Sequence, residues 1–144
     1  MVCLCFDFGT FSWGVAVGDR LSQTAQALCA ITAVKGKPNW QDMDHVIKQW
    51  KPEVFVIGYP LKADGSRFRL TDQVDSAIAD LRERYPNTRL CQVDEFLTTV
   101  EAKEDLYAKK GKKGLKKGDI DAESAKLILL RWFEEEDLLS DEER

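Results

Sequence analysis

Residues Val2–Val17 read VCLCFDFGTFSWGVAV, and this stretch decides the fold. Side chains of an extended strand point alternately to its two faces, so Cys3, Cys5 and Asp7 share one face and Leu4, Phe6 and Phe8 the other. Both faces are apolar until Asp7, the pattern of a central strand covered on both sides. A tight turn at Gly9-Thr10-Phe11-Ser12 leads into a second apolar run. A carboxylate at the end of a buried strand is costly unless hydrogen-bonded, paired or metal-bound. Asp7 is therefore the first candidate functional residue; capping the turn through nearby backbone N–H groups is its alternative use.

Outward from this hairpin, the chain is legible in pieces. Strands are expected at about 2–8 and 13–19, with a third from Ala25 to Val34 that Gly36-Lys37-Pro38 breaks. From Asn39 the period changes: Trp40, Met43, Ile47 and Trp50 form a helical stripe, with His45 off it as a solvated residue. Pro52 ends that helix and Glu53–Gly58 (EVFVIG) reads as a buried strand. Leu70, Val74, Ala77, Ile78 and Leu81 make the next helical stripe, stopped near Pro86. Arg89–Val93 is a short strand. Thr98 and Glu101 spell a capping box opening a helix to about Lys110. A last helix starts at Asp119 or Asp121 and runs through Phe133. The order βββαβαβα predicts an α/β fold, a mixed five-stranded sheet with helices on both faces. One domain, residues 1–133, and an acidic, frayed C-terminal tail, 134–144, are expected.

Composition sets further bounds. The chain has 144 residues, enough for one full core. No apolar run approaches the roughly 20 residues that span a bilayer. The N-terminus enters strand-like sequence without a basic region and cleavage site, so no export signal is expected. Cys3, Cys5, Cys29 and Cys91 lie in apolar runs without a CxxC pair, which reads as buried free thiols in a reducing cytoplasm. Net charge is −4, but residues 134–144 (EEEDLLSDEER) carry −6, leaving +2 for the remainder. Lys109, Lys110, Lys112, Lys113, Lys116 and Lys117 crowd one glycine-punctuated stretch. The body can therefore meet a polyanion although the whole chain is acidic. Shielding of this lysine stretch by the acidic tail is a further expectation.

Three acids sit at ends of elements: Asp7 after the first strand, Glu95 after the last, and Asp121 at the start of the last helix. Where those strands are neighbours, the three ends converge. Carboxylates about 4 Å apart repel by roughly 4 kcal/mol at an effective dielectric of 20, so they share a proton or hold a hard cation. Oxygen-only ligation favours Mg²⁺ or Mn²⁺ over zinc. Such acids can hold two metals about 3.5–4 Å apart for phosphodiester cleavage. Nucleophilic serine or cysteine chemistry lacks a base, since His45 is badly placed for it.

The runs FDFGTFSWGVAVG, VIGYPLKADGS, VDEFLTTVEA and KKGDIDAESAKLIL together resemble the YqgF (RuvX) family, in order and over about residues 2–133. That family is described as Holliday junction resolvases and as nucleases maturing the 5′ end of pre-16S ribosomal RNA. The resemblance implies an RNase H-like fold, with Asp7, Glu95 and Asp121 as the catalytic and metal-holding acids. It also implies a nucleic-acid partner, structured RNA in preference to branched DNA. Two positions depart from the family pattern: a lysine usually follows Asp-x-Gly-Thr, where this chain has Phe11, and a basic residue of the second acidic segment is Phe96. Lost cations weaken phosphate contacts, whereas phenylalanines can stack on unpaired bases or pack on each other. Lys112, Lys113, Lys116, Lys117, Thr10, Phe11 and Ser66 are the candidate nucleic-acid contacts, against the plainer use of a solvated loop and ordinary turns. Two other classes compete with the nuclease. One is a non-catalytic nucleic-acid-binding factor of the same fold; on either reading a monomer or homodimer is expected. The other is an actin-like ATPase, whose paired domains this chain is too short to supply.

Overall fold

The computed structural model describes residues 1–60, 69–94 and 117–142, with the backbone alone at 69, 117, 118 and 137–142. β1 (Val2–Asp7), β2 (Ser12–Asp19) and β3 (Thr24–Val34) form an antiparallel meander. β4 is Lys37–Pro38, followed by α1 (Trp40–Trp50) and β5 (Val54–Tyr59). α2 (Arg69–Arg84), β6 (Arg89–Asp94) and α3 (Lys117–Glu142) complete the described elements. The sheet order is β4-β3-β2-β1-β5-β6. β1 pairs antiparallel with β2 and parallel with β5, and β5 pairs parallel with β6. The mixed sheet is thus as expected, but with six strands among the described residues instead of five.

The sixth strand arises where a break was expected. Lys35 (φ 52°) and Gly36 (φ 82°) are both left-handed, and Val34 pairs with Lys37 across them. Two central residues with positive φ make the two-residue hairpin turn that matches strand twist. Gly36-Lys37-Pro38 therefore turns the strand back instead of ending it, and Pro38 sits on the sheet edge, where a missing N–H is tolerated.

Helices cover both faces. Leu4, Phe6 and Phe8 pack with Trp13, Ile31 and Ala33, beneath Met43 of α1 and Val74, Ala77, Ile78 and Leu81 of α2. On the opposite face Cys3, Cys5, Ala16 and Val56 pack against Ala125, Ile128, Leu129, Trp132 and Phe133 of α3. The alternation read from β1 is the one observed. Asn39 caps α1, its side chain accepting from the N–H groups of Gln41 and Asp42, and His45 is exposed on that helix. The thiols are free as expected, although Cys29 and Cys91 are only partly buried. No helix among the described residues is long and apolar enough to cross a membrane.

β2 shows why α3 lies so close to the sheet. Its Ser12, Gly14, Ala16 and Gly18 fall on one face, all small. A Cβ on Gly14 would lie 1.9 Å from the Asp121 carbonyl oxygen, and one on Gly18 would lie 2.8 Å from Leu129 Cδ2. The helix backbone occupies space that any side chain at Gly14 would need.

The C-terminal segment differs from expectation. α3 continues unbroken through 134–142 in place of a frayed tail. Arg20 Nη2 bonds Glu136 Oε2 at 3.0 Å and stacks over Trp132, 5.6 Å from the ring centre. A helix rises about 1.5 Å per residue, so Glu136 stands roughly 28 Å along the axis from Lys117. In this helix the acidic segment leads away from Lys117; the lysine stretch it was expected to shield, Lys109–Lys116, lies outside the described residues.

Candidate active site

Asp7 ends β1, the central strand, and is 5% exposed. Its position on the Cys3–Cys5 face turns it toward α3. Asp121, in the first turns of α3, is 6% exposed. The two are linked through β2: Asp7 and Gly14 are Cα partners, and Gly14 is the residue on which the Asp121 backbone rests. Two buried carboxylates, more than a hundred residues apart in sequence, thereby reach one edge of the sheet.

Ser12 fixes one of them. Its Oγ donates to Asp121 Oδ2 at 2.6 Å, a short charge-assisted bond. A short turn precedes it. The Phe11 carbonyl accepts from Ala33 N–H and the Thr10 carbonyl from Gly36 N–H, both at 2.8 Å. Thr10 Oγ1 lies 3.5 Å from Gln73 Oε1 of α2, and Phe11 is 71% exposed. At the same edge, Tyr59 pairs with Asp94, the residue before Glu95. The Tyr59 hydroxyl donates to Asp75 at 2.8 Å, and the Thr71 hydroxyl to the Pro60 carbonyl at 2.7 Å.

Of the residues singled out from sequence, Asp7, Asp121, Thr10 and Phe11 come to this edge. Lys117 opens α3 there, its side chain outside the described residues. Glu95, Ser66, Lys112, Lys113 and Lys116 also lie outside them, as do Phe96 and the helix expected from Thr98. Among the described residues no three His, Cys, Asp or Glu side chains form a metal-sized group; Asp7 and Asp121 are related through Gly14, the strand partner of one and the backbone neighbour of the other. Ser12 and Gly14 escaped the sequence reading. Their signal was the run of small residues at alternate positions from Ser12 to Gly18, the mark of a helix pressed against a strand.

The comparisons with known proteins agree with this architecture. The family model described as "RuvX: Holliday junction resolvase" matches residues 1–135. The chain belongs to the RuvX family. RuvX relatives named "putative pre-16S rRNA nuclease" include one from Haemophilus ducreyi, 45% identical over 91% of this chain and 94% of its own length. A second, from Glaesserella parasuis, is 47% identical over 92% of this chain and 96% of its own. The RuvX fold is shared with solved Holliday junction resolvases at low identity. The fowlpox virus enzyme has a TM-score of 0.59 at 14% identity, over 94% of this chain and 99% of that one. T. thermophilus RuvC, in complex with a junction substrate, has a TM-score of 0.53 at 15% identity, over 94% and 95%. The RuvX assignment and the RNase H-like fold are those the sequence motifs implied.

Proposed function

We propose that this chain is a divalent-metal-dependent nuclease that hydrolyses phosphodiester bonds during 5′-end maturation of pre-16S rRNA, in the cytoplasm. The observation that carries this is that buried Asp7 and Asp121 both neighbour Gly14, one as its strand partner and the other through the helix backbone packed on it. The relatives' shared name supports RNA as the substrate, at 45–47% identity over nearly the whole chain.

The donor set fits a hard cation. Both carboxylates are oxygen donors, held away from bulk water, and their mutual repulsion falls when a cation lies between them. Asp7 and Asp121, with Glu95 as the third acid, would hold Mg²⁺ or Mn²⁺. Such an ion activates water and neutralises charge on the phosphate and leaving oxygens. Ser12 keeps the Asp121 carboxylate in one orientation. Asp7 ends β1, a strand whose residues 3–7 are all buried and whose residues 3–6 are paired on both sides. Lys112, Lys113, Lys116 and Lys117 would supply phosphate contacts, as the family resemblance implies, and Thr10 and Ser66 hydroxyls.

Cleavage of RNA bearing the 5′ leader of pre-16S rRNA, in Mg²⁺ or Mn²⁺, tests the reading, with Asp7→Asn alongside. Loss of RNA cleavage in the variant is expected. The family description favours one second reading, a junction resolvase; cleavage of a four-way DNA junction alone would select it. Binding without cleavage of either would select a non-catalytic factor.

A further inference from the structure

Two turns that are distant in sequence form one platform beside the acids. The β1–β2 turn holds Thr10 and Phe11, and the β3–β4 turn holds Lys35 and Gly36. They are clamped by Ala33 N–H to the Phe11 carbonyl and Gly36 N–H to the Thr10 carbonyl, both at 2.8 Å. From below, the buried Trp13 indole N–H donates to the Gly36 carbonyl at 3.1 Å. Gly36 can serve here because its φ of 82° suits glycine and because a Cβ would strike Phe8 Cζ at 2.7 Å.

What this rigid backbone presents is unusual. Phe11 is 71% and Val34 is 70% exposed, two of the large exposed apolar side chains among the described residues. Lys35 is exposed beside Val34 and has no ion pair among the described residues, whereas Lys37 is held by Asp80 at 3.7 Å. Phe11 is also the residue before Ser12, whose hydroxyl holds Asp121. An exposed aromatic ring and an exposed ammonium on a pre-formed turn, one residue from the acid site, match a nucleobase and its phosphate. A paired base has its faces covered by its neighbours; an unpaired base offers a face to a ring.

We infer that the clamped Phe11–Lys35 platform binds an unpaired nucleotide next to the scissile bond, making single-stranded segments flanking a duplex the preferred substrate class. The inference rests on the nucleic-acid reading above. Phe11 acts as a specificity-determining residue through base stacking, and Lys35 contributes a phosphate contact that does not discriminate between sequences.

The test is binding of the full chain in EDTA, where hydrolysis cannot contribute. The probes are an RNA hairpin with an unpaired 5′ extension carrying 2-aminopurine and the same hairpin made blunt. Wild type is expected to prefer the extended RNA and quench the 2-aminopurine. Phe11→Ala should lose about 5- to 150-fold on the extended RNA, the worth of one stacked base, with little change on the blunt one. Phe11→Trp should keep both preference and quenching. Phe11→Lys should bind both RNAs but lose the preference, with a steeper salt dependence. Lys35→Gln should weaken both and lower the salt slope by about 0.7–0.9. Equal wild-type affinity for the two RNAs, or an unchanged preference in Phe11→Ala, would overturn the inference. So would binding of neither RNA. Failed cleavage with the preference intact would sink only the nuclease reading.

Discussion

Ser12 Oγ lies 2.6 Å from Asp121 Oδ2, joining the start of β2 to the first turns of α3 across the site edge. The bond restrains a carboxylate that is 6% exposed and would otherwise turn about its side-chain torsions. Ser12→Ala leaves that buried acceptor one donor short, a loss of about 1–3 kcal/mol. Urea unfolding should report a drop of that size. Calorimetric titration with Mn²⁺ should show weaker binding than wild type, with Ser12→Thr restoring it. Unaltered Mn²⁺ affinity in Ser12→Ala would remove the positioning role.

Gly14→Ala is expected to be the more damaging change, although it adds only a methyl group. Its Cβ would meet backbone atoms of Asp121 at 1.9 and 2.3 Å, so α3 must move away from β2. Overpacking against backbone costs about 3 kcal/mol or more. Thermal unfolding should show a fall of many degrees and cleavage should be lost with it. Ala16→Gly, at the next position on the same face, should cost only roughly 1 kcal/mol.

Asp7→Asn separates charge from shape. Without divalent ions the variant should be as stable as wild type or about 1 kcal/mol more so, because a buried like charge is gone. Wild type should gain melting temperature on adding Mg²⁺ or Mn²⁺, since an ion that binds only the folded state stabilises it. The variant should gain little. Equal metal-induced shifts in the two proteins would place the ion elsewhere.

Removing residues 137–144 should leave RNA affinity within about twofold at 0.15 M salt. The segment follows Glu136, which Arg20 anchors at the end of α3 away from Asp121. At this ionic strength charges are screened beyond about 8 Å, far less than the helix length between them. A tenfold gain in affinity on truncation would mean that the acidic residues do reach the site.

Burial pushes the Cys3 thiol up to about 11 from its ordinary 9.0, with partial opposition from the N-terminal ammonium and Arg20. Burial moves Cys29 and Cys91 the same way. The unfolded chain ionises these thiols from about pH 9, whereas folded Cys3 stays neutral until about 11. The stability this confers is complete below pH 9 and is lost as pH rises through 11. Urea midpoints should fall across that window, less steeply in Cys3→Val. At pH 8 Cys3 should resist alkylation in the native protein.

The sequence by itself determined the core elements. Alternation in β1 separated the face that meets α1 and α2 from the face that meets α3, because a strand covered on both sides must be apolar on both. The stripes Trp40–Trp50 and Leu70–Leu81 announced their helices through the 3.6-residue period. Asp7 stood out as a charge ending a buried strand, and the ordered motifs carried the family. Only the tertiary structure decided what depends on contacts between distant residues. The Lys35–Gly36 turn made a sixth strand where composition indicated a break, because positive φ at two successive residues is a backbone property that Lys35 does not advertise. α3 ran on through an acidic segment that reads as a tail, and Arg20, just after β2, holds it by pairing with Glu136 and stacking over Trp132. Ser12 and Gly14 became part of the site only once α3 lay on β2: a hydroxyl and an absent side chain acquire their roles from what packs against them.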